Sequence, residues 1–438
     1  MSAPHQLRIT QLASDRRLHQ AFAWLHLHEP QLRRWQMEFL AIPAPPFAES
    51  ERAGWFCERF RELGLSEPRV DQEGNTVAEL RSPPAATILE APAVPNPPAV
   101  LLSAHLDTVF PAGTDCTPRE DGARILGPGA CDNGAGLTAL LGLAAALRHA
   151  GITPPCTILF AANVGEEGEG DLRGMRHLFQ AEPYAGRVQA AIALEGGSDR
   201  MVVDQALGSR RLRVTIAGPG GHSWADAGRA NPILTLAAAL LEVEKLPLPA
   251  RPRTTLNCGV IRGGTSVNSI PESVAADLDL RSVSGDELDH LEVRVLQTLR
   301  QTVEEENRRR GEKTLTLQTV RIGNRAPGAL AANSGLASSL RAVDRHLGIA
   351  TEARIGSTDA NLPLSMGIPA LAIGAGGVGW GIHTLEEGYD PTGRDLALRR
   401  VLLLLLDTCA LTAQNASTLP ADPQTEGRPK GTGVHSLA

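Results

Sequence analysis

With 438 residues, the chain is longer than one hydrophobic core ordinarily supports, so we expect two domains. Hydrophobic residues make up 42% and charged residues 21%, which excludes a disordered chain. The formal net charge of −7 excludes the strongly basic surface by which proteins bind nucleic acids or anionic membranes.

Targeting and redox signals lead us to expect a cytoplasmic protein. The N-terminal segment lacks the apolar stretch of a signal peptide, and the longest apolar runs, 137–147 and 401–411, are too short to cross a bilayer. The six cysteines include no CxxC pair, which argues against a disulfide scaffold or a thiolate zinc site and fits a reducing compartment.

Helices and apolar strands alternate along the first half of the chain, which predicts an α/β fold. Such a fold has a mostly parallel central sheet with helices on both faces. The predicted elements are helix 49–65, a Pro- and Ala-rich surface connection over 81–98, strand 99–107, helix 134–151, strand 156–164, helix 172–180 and strand 188–197.

The pattern changes after about residue 207 to half-exposed strands that alternate as antiparallel strands do. We predict an inserted α+β domain over 207–323, with helices at 231–246 and 285–311 and a last strand at 314–323. The catalytic domain would comprise 1–206 and 324–414, with helix 335–348, strand 369–377 and helix 394–414 in its second part. The polar tail 415–438 is predicted to be disordered.

Side chains that bind metals follow two of the early elements. His105 and Asp107 end strand 99–107, and they point to the same side because strand side chains alternate. One of them can bind a metal while the other orients it. Asp132 lies in a glycine-rich loop before helix 134–151, where the simplest explanation is a helix N-cap.

Further acidic residues and a histidine follow later strands. Glu166 and Glu167 follow strand 156–164, and acidic clusters of this kind are usually solvated loops. However, ligands of open α/β sheets bind just outside the carboxyl ends of the strands, where this cluster lies. Glu195 ends strand 188–197, and His383 follows strand 369–377.

Two imidazoles and three carboxylates therefore converge on one edge of the predicted sheet. Mixed nitrogen and oxygen ligands without cysteine suit zinc, cobalt or manganese, and a carboxylate shared between two ligand pairs is typical of a two-metal site. We predict two divalent cations, held by His105, Asp132, Glu195, His383 and either Glu167 or Glu166.

Nine motifs occur in an order that resembles the di-zinc exopeptidase and deacylase family. They span roughly residues 100–390 and read "HLD", "GPGACDNGAG", "GEEGEG", "LEGG", "GGHS", "GGTSVNSIP", "DLDLRS", "GSTDAN" and "HTLEE". The family includes glutamate carboxypeptidase, peptidase T, acetylornithine deacetylase, succinyl-diaminopimelate desuccinylase and aminoacylase. The resemblance implies that Asp132 bridges two zinc ions, with His105 and Glu195 on one and Glu167 and His383 on the other.

The resemblance also implies roles for residues around the metals. Asp107 would orient His105, and Glu166 would be the general base. His222 would stabilise the tetrahedral oxyanion, commonly in the neighbouring subunit's site, so a homodimer through the inserted lid domain is expected. The substrate would be held by Asn268, Arg281, Ser357 and Thr358, with Arg281 on a carboxylate, and Glu387 would support the His383 loop.

The reading that these residues favour is a metal-dependent exopeptidase acting on small peptides. An N-acyl-amino-acid deacylase on the same machinery is the alternative, and no residue separates the two. The family's aminopeptidases usually have Asp where this chain has Glu195, which counts against a tripeptide aminopeptidase. A non-catalytic relative would be expected to lose a ligand or the base, and a purely structural dimer would leave the acidic cluster unexplained.

Overall fold

The computed structural model describes residues 3–81, 97–311 and 313–418. Most of the predicted connection 81–98 and residues 419–438 of the predicted tail lie outside these ranges. The last helix continues to Thr418, so residues 415–418, predicted to belong to the tail, are helical. The helices are α1 (Ala3–Ala13), α2 (Arg16–Leu27), α3 (Glu29–Leu40), α4 (Ser50–Glu62), α5 (Gly134–His149), α6 (Arg173–Gln180), α7 (Pro232–Glu244), α8 (Gly285–Arg310), α9 (Gly335–Leu347), α10 (Asn361–Ser365) and α11 (Arg394–Thr418).

The strands fall into a large central sheet and three smaller ones. They are β1 (Ser66–Val70), β2 (Thr76–Leu80), β3 (Ala99–His105), β4 (Arg119–Asp121), β5 (Arg124–Leu126), β6 (Thr157–Asn163), β7 (Val188–Leu194), β8 (Met201–Ala206), β9 (Gly208–Ala217), β10 (Gly221–His222), β11 (Thr254–Gly263), β12 (Ser269–Ile270), β13 (Ser273–Ser282), β14 (Thr316–Arg325), β15 (Gly328–Ala329), β16 (Glu352–Gly356), β17 (Ala370–Ile373), β18 (Val378–Trp380) and β19 (Gly388–Asp390).

The central sheet has the strand order β1-β2-β6-β3-β7-β17-β8-β15, with β16 also paired to β8. Its middle strands β6, β3, β7 and β17 are parallel, and antiparallel strands extend it on both sides. Every residue of β3 and β6 is buried, because helices cover both faces. The structure confirms the predicted α/β class with a mostly parallel centre.

Helix α5 is apolar on all sides, which is the composition of a fully enclosed helix. Its N-cap is Asn133, whose side-chain oxygen accepts a hydrogen bond from the Gly136 amide at 3.1 Å. The N-cap explanation for Asp132 is therefore wrong, because the next residue caps the helix. This arrangement leaves the carboxylate of Asp132 free to face the strand ends.

A four-stranded antiparallel sheet in the order β11-β13-β9-β14, together with α7 and α8, forms what we call the inserted unit. Alternate residues such as Leu212 and Leu278 pack under the two helices, while the residues between them face the opposite side. The unit's sheet runs from Gly208 to Arg325. The division into domains at 207 and 323 stays a prediction. None of the helices in the described ranges has the length and apolarity needed to cross a bilayer.

Candidate metal centre and active site

Five side chains that the sequence singled out meet at the carboxyl edge of the central sheet. Asp132 lies between the two histidines, with Oδ1 3.1 Å from His105 Nε2 and Oδ2 2.9 Å from His383 Nε2. Glu195 Oε1 lies 3.4 Å from His105 Nε2, and Glu167 Oε1 lies 3.0 Å from His383 Nε2. The five residues form two potential metal-binding groups that share Asp132.

This meeting follows from strand geometry. His105 is the last residue of β3 and is in register with Asn163, the last residue of β6, so both strands end at one level of the sheet. Glu166 and Glu167 follow the end of β6 after Val164 and Gly165, and Glu195 directly follows β7. His383 arrives from the other side on a turn after β18, with a left-handed φ of 65°. Such a backbone costs about 1–3 kcal/mol in a residue other than glycine and is typical of functional sites.

The pKa values of the histidines and carboxylates in this cluster show that it favours positive charge. Hydrogen bonds that His383 Nε2 donates to the carboxylates of Asp132 and Glu167 raise the pKa of His383 to about 10. Burial opposes the charged form of His105, but the carboxylates of Asp132 and Glu195 outweigh it and raise its pKa as well. Burial raises the pKa of Glu195 to about 7. Carboxylates with so little water around them require cations close by.

The residues present fit a pair of divalent cations. Imidazole nitrogens and carboxylate oxygens without a thiolate are a donor set for zinc, cobalt or manganese in a catalytic site. In addition, Glu195 Oε2 is buried and has no hydrogen-bond partner among the described residues. A buried carboxylate oxygen without a hydrogen-bond partner in the protein is expected at a metal ligand, because the metal ion is its partner.

Asp107 contacts His105 differently from the prediction. The backbone carbonyl of Asp107 accepts the His105 Nδ1 hydrogen bond at 2.9 Å, while its carboxylate Oδ1 lies 3.8 Å from the same nitrogen. The carboxylate instead accepts the backbone N–H groups of Glu166, at 3.0 Å, and Glu167, at 2.7 Å. Asp107 therefore positions both the histidine and the loop that carries the predicted base.

Glu166 and Glu167 have different hydrogen-bond partners, although one carboxylate oxygen of each lies within 4.8 Å of the other and of a His105 ring nitrogen, so these three residues form a further potential metal-binding group. Glu166 Oε1 accepts a hydrogen bond at 2.8 Å from Arg325 Nη1, which also lies 3.0 Å from Ser357 Oγ. A second Arg325 nitrogen donates to the Glu166 backbone carbonyl. Burial raises the pKa of Glu166, and the Arg325 guanidinium opposes that shift.

The sequence reasoning missed Arg325. Its only signal was a lone arginine at the end of the last strand of the inserted unit, close to the predicted domain boundary. Lone arginines at strand ends are usually exposed, so this signal is weak by itself. Here the side chain is only 4% exposed, and its burial beside Glu166 marks it as part of the site.

The family model for Peptidase family M20/M25/M40 matches residues 101–406. The chain belongs to this family. A curated relative, a "probable carboxypeptidase" of Aspergillus clavatus, is 31% identical over 207 residues, which are 43% of this chain and 45% of the relative. The chain thus spans about half the length of the curated relatives that it matches.

Solved structures of other proteins share the fold of this M20/M25/M40 member over nearly their whole length. A tripeptidase of Staphylococcus aureus aligns with a TM-score of 0.68 at 21% identity, covering 88% of this chain and 99% of that one. A Bacillus subtilis protein described as a dinuclear metal-binding peptidase of the M20 family aligns with a TM-score of 0.61 at 14% identity, covering 88% and 99%. At these identities the likeness shows the fold.

The remaining site residues predicted for this family member lie in two places. Ser357 contacts Arg325, and the buried Thr358 is tied to Asn361 by a hydrogen bond of 2.9 Å from its backbone N–H. In the inserted unit, Arg281 binds Asp279 at 2.6 Å. His222 and Asn268 lie on neighbouring segments there, and within the described ranges no hydrogen bond or ion pair joins either one to the metal cluster.

Glu387 supports the Asp132 loop of this M20/M25/M40 chain. Its carboxylate accepts three backbone N–H groups, from Gly129 at 3.0 Å and from Cys131 and Asp132 at 2.8 Å each. Glu387 also follows His383 by four residues, so one buried carboxylate connects the loops of two potential metal ligands.

Glu387→Gln should weaken metal binding by about 10- to 100-fold, which is the usual effect of losing a group that orients metal ligands. The amide has one oxygen acceptor fewer than the carboxylate, so the three N–H groups can no longer all be satisfied. Titration of the metal-free protein with zinc, followed by calorimetry, measures the affinity. The exposed neighbour Glu386→Gln is the matched control, and equal affinities for the two variants would contradict the supporting role.

Proposed function

We propose that the chain is a metal-dependent exopeptidase that hydrolyses the amide bond next to the end of a small peptide. The observation that carries the proposal is the meeting of two histidines and three carboxylates beside Glu166, a buried carboxylate that lies outside the shared Asp132 pairings. Membership of the M20/M25/M40 family and the carboxypeptidase name of the curated relative support it.

Two divalent cations, zinc first and cobalt or manganese as the other candidates, would be held by His105, Asp132, Glu167, Glu195 and His383. When bound, such ions lower the pKa of water towards neutrality and polarise a carbonyl group. The chain's own groups then have to deliver and remove protons, exclude water and fix the peptide.

Glu166 would accept the proton of the attacking water and later donate it to the leaving amine. It suits this task because Arg325 and the backbone hydrogen bonds to Asp107 hold its carboxylate and its loop in place. A positioned general base contributes typically 10²- to 10⁴-fold in rate. Arg325 and Ser357 lie beside Glu166. The leaving amine would lie on this side of the site, because Glu166 would donate the proton to it.

The inserted unit would act as a lid and as the interface of a homodimer. His222 is exposed and has no link to the metal cluster of its own chain in the described ranges, and Trp224 beside it is 86% exposed. A neighbouring subunit's site is therefore the place where His222 could stabilise a developing oxyanion. Arg281 and Asn268 of the same unit would hold the substrate carboxylate, because a guanidinium pairs with carboxylates bidentately.

Elemental analysis of the purified protein, paired with hydrolysis assays before and after chelation, tests the proposal. We expect about two metal ions per chain, activity lost on chelation, and activity restored by zinc, cobalt or manganese. Dipeptides and N-acetyl and N-succinyl amino acids should be compared in the same assay. Hydrolysis of the N-acyl amino acids alone would identify a deacylase instead, and reconstituted protein that binds no metal would refute the metal centre.

A further inference from the structure

A cleft of about 980 Å³ opens next to His383, and we call it the Phe110 cleft. The residues that line it fall within 109–119, 127–128 and 383–385. These segments follow Asp107, precede Asp132 and carry His383, so the cleft adjoins three parts of the candidate site. Its volume is in the range of roughly 300–1,000 Å³ that is typical of small-molecule sites.

His383 is a wall shared by the Phe110 cleft and the metal centre. Its Nε2 faces Asp132 and Glu167, at 2.9 and 3.0 Å, while half of its side-chain surface is exposed. The loop before Asp132 contributes Gly127 and Pro128 to the same cleft. A ligand that occupies the cleft therefore lies directly beside the predicted metal ligands.

The cleft and Glu166 lie on different sides of the centre. Glu167 shares one potential metal-binding group with Glu166 and another with His383, whereas Glu166 and His383 share none among the described residues. Arg325 and Ser357, which lie beside Glu166, are not among the residues that line the cleft. In the proposed function Glu166 donates a proton to the leaving amine, so the acyl side of the scissile bond extends past His383 into the cleft.

Much of the surface that the cleft offers to a ligand is apolar. Its apolar lining residues are Val109, Phe110, Pro111, Pro128 and Leu385. Leu385 is 60% exposed, and a ligand in the cleft would cover it. Removing such side chains from water stabilises a complex in proportion to the apolar area that is buried.

The polar side chains of the lining already have partners within the protein. The hydroxyls of Thr114 and Thr384 each donate to a backbone carbonyl three residues earlier, at 2.8 and 2.7 Å. Hydrogen bonds from Thr117 first, and then the Arg119 guanidinium, lower the pKa of Asp115. A ligand therefore gains few new hydrogen bonds from these groups, and apolar contact is left as the main source of affinity.

We propose that the Phe110 cleft binds the residue on the acyl side of the scissile bond and selects a large apolar side chain there, such as that of leucine, methionine or phenylalanine. Phe110, Pro111 and Leu385 contact this side chain, and the bond to be cleaved lies towards Glu166. The inference rests on the proposed exopeptidase function, because the role of Glu166 decides which side of the bond extends into the cleft.

Dipeptides with alanine as the constant leaving residue test the selection. Leu-Ala and Asn-Ala have acyl-side residues of similar shape and different polarity. We expect the metal-loaded wild-type enzyme to hydrolyse Leu-Ala with kcat/KM about 10- to 100-fold higher, the usual gain from burying one aliphatic side chain. Equal kcat/KM values for this pair, or a higher value for Glu-Ala than for Leu-Ala, would overturn the proposal.

Leu385→Asn should lower the ratio of kcat/KM for Leu-Ala over Asn-Ala by about 10-fold, because an apolar wall of the cleft is lost. The ratio for the reversed peptides, Ala-Leu over Ala-Asn, should stay as in the wild type. A change confined to the reversed peptides would place the leaving residue in the cleft and contradict the proposal.

Leu7→Asn is the matched control, because Leu7 is also 60% exposed and lies on α1, outside the cleft. It should retain the wild-type ratios. Leu385 lies two residues from His383, so elemental analysis has to show that Leu385→Asn keeps its metal. If it does not, Pro111→Ser, on the segment that follows Asp107, replaces it with the same expected loss of ratio.

The outcomes separate this inference from the function on which it rests. Equal hydrolysis of Leu-Ala and Asn-Ala would refute the role of the cleft and leave the exopeptidase proposal standing. If only N-acyl amino acids are hydrolysed, N-hexanoyl-alanine and N-acetyl-alanine replace the dipeptides, and equal kcat/KM values would again refute the cleft's role. A metal-loaded protein that hydrolyses none of these compounds would refute the exopeptidase proposal and this inference with it.

Discussion

Glu166→Gln should lower kcat by about 10²- to 10⁴-fold while about two metal ions per chain stay bound. Glutamine has nearly the same shape as glutamate, and its amide oxygen can still accept the hydrogen bond from Arg325. The amide cannot take up a proton from water at neutral pH, so the loss falls on proton transfer. Glu167, the predicted ligand, is unchanged and points to His383.

Steady-state kinetics and elemental analysis on the same preparation measure the two halves of this prediction. Glu169→Gln is the matched control, because Glu169 is an exposed carboxylate of the same loop. It should retain wild-type turnover and metal content. Wild-type-like turnover in Glu166→Gln would remove Glu166 from the mechanism, and loss of metal would make it a ligand instead of the base.

His222→Ala should lower kcat by about 10²- to 10³-fold, which is the usual cost of losing one oxyanion donor. Since His222 is exposed and, among the described residues, has no hydrogen bond or ion pair to the predicted metal ligands of its own chain, we expect the metal content of the variant to be unchanged. If the residue acts in the neighbouring subunit's site, the defect can be complemented. A dimer of one His222→Ala chain and one Glu166→Gln chain contains one site with both residues intact.

Mixing the two inactive variants under conditions that allow subunit exchange should therefore restore part of the activity. Differently tagged subunits, purified through both tags in turn, provide defined heterodimers for the assay. The matched control is a dimer of two Glu166→Gln chains that carry the two different tags. It should stay inactive. Heterodimers of the two variants with no recovered activity would place His222 in its own chain's site or outside catalysis.

The parts of this fold that could be predicted are those where local pattern and buried environment agree. Strands β3 and β6 are continuous apolar runs because both faces are covered, and α5 is apolar on all sides for the same reason. Strands such as β1 and β16, at or near the sheet edges, have no fully buried residue, so no apolar pattern marks them. Their pairing depends on neighbours far away in the chain.

The candidate site also contains residues that could be predicted from the sequence and residues that could not. His105, Asp132, Glu195 and His383 were predictable because each follows or precedes an element whose end can be located, and parallel strands end on one edge. Arg325 was not, because its role depends on the inserted sheet folding back over the Glu166 loop. The use of the Asp107 carbonyl instead of its carboxylate was also out of reach, since sequence reports side-chain types and not backbone contacts.

The loop between β6 and α6 follows a strand of the central sheet and is also in contact with the inserted unit. It carries Glu166 and Glu167, and it is bound by Arg325 and Arg211 of the inserted unit, while Asp171 accepts the Asn324 backbone N–H at 2.9 Å. Glu166, the proposed base, is thus held as much by the inserted sheet as by its own strand. In a chimera with the inserted unit of another family member, different side chains would contact this loop. The inserted unit and the loop between β6 and α6 therefore have to be exchanged together.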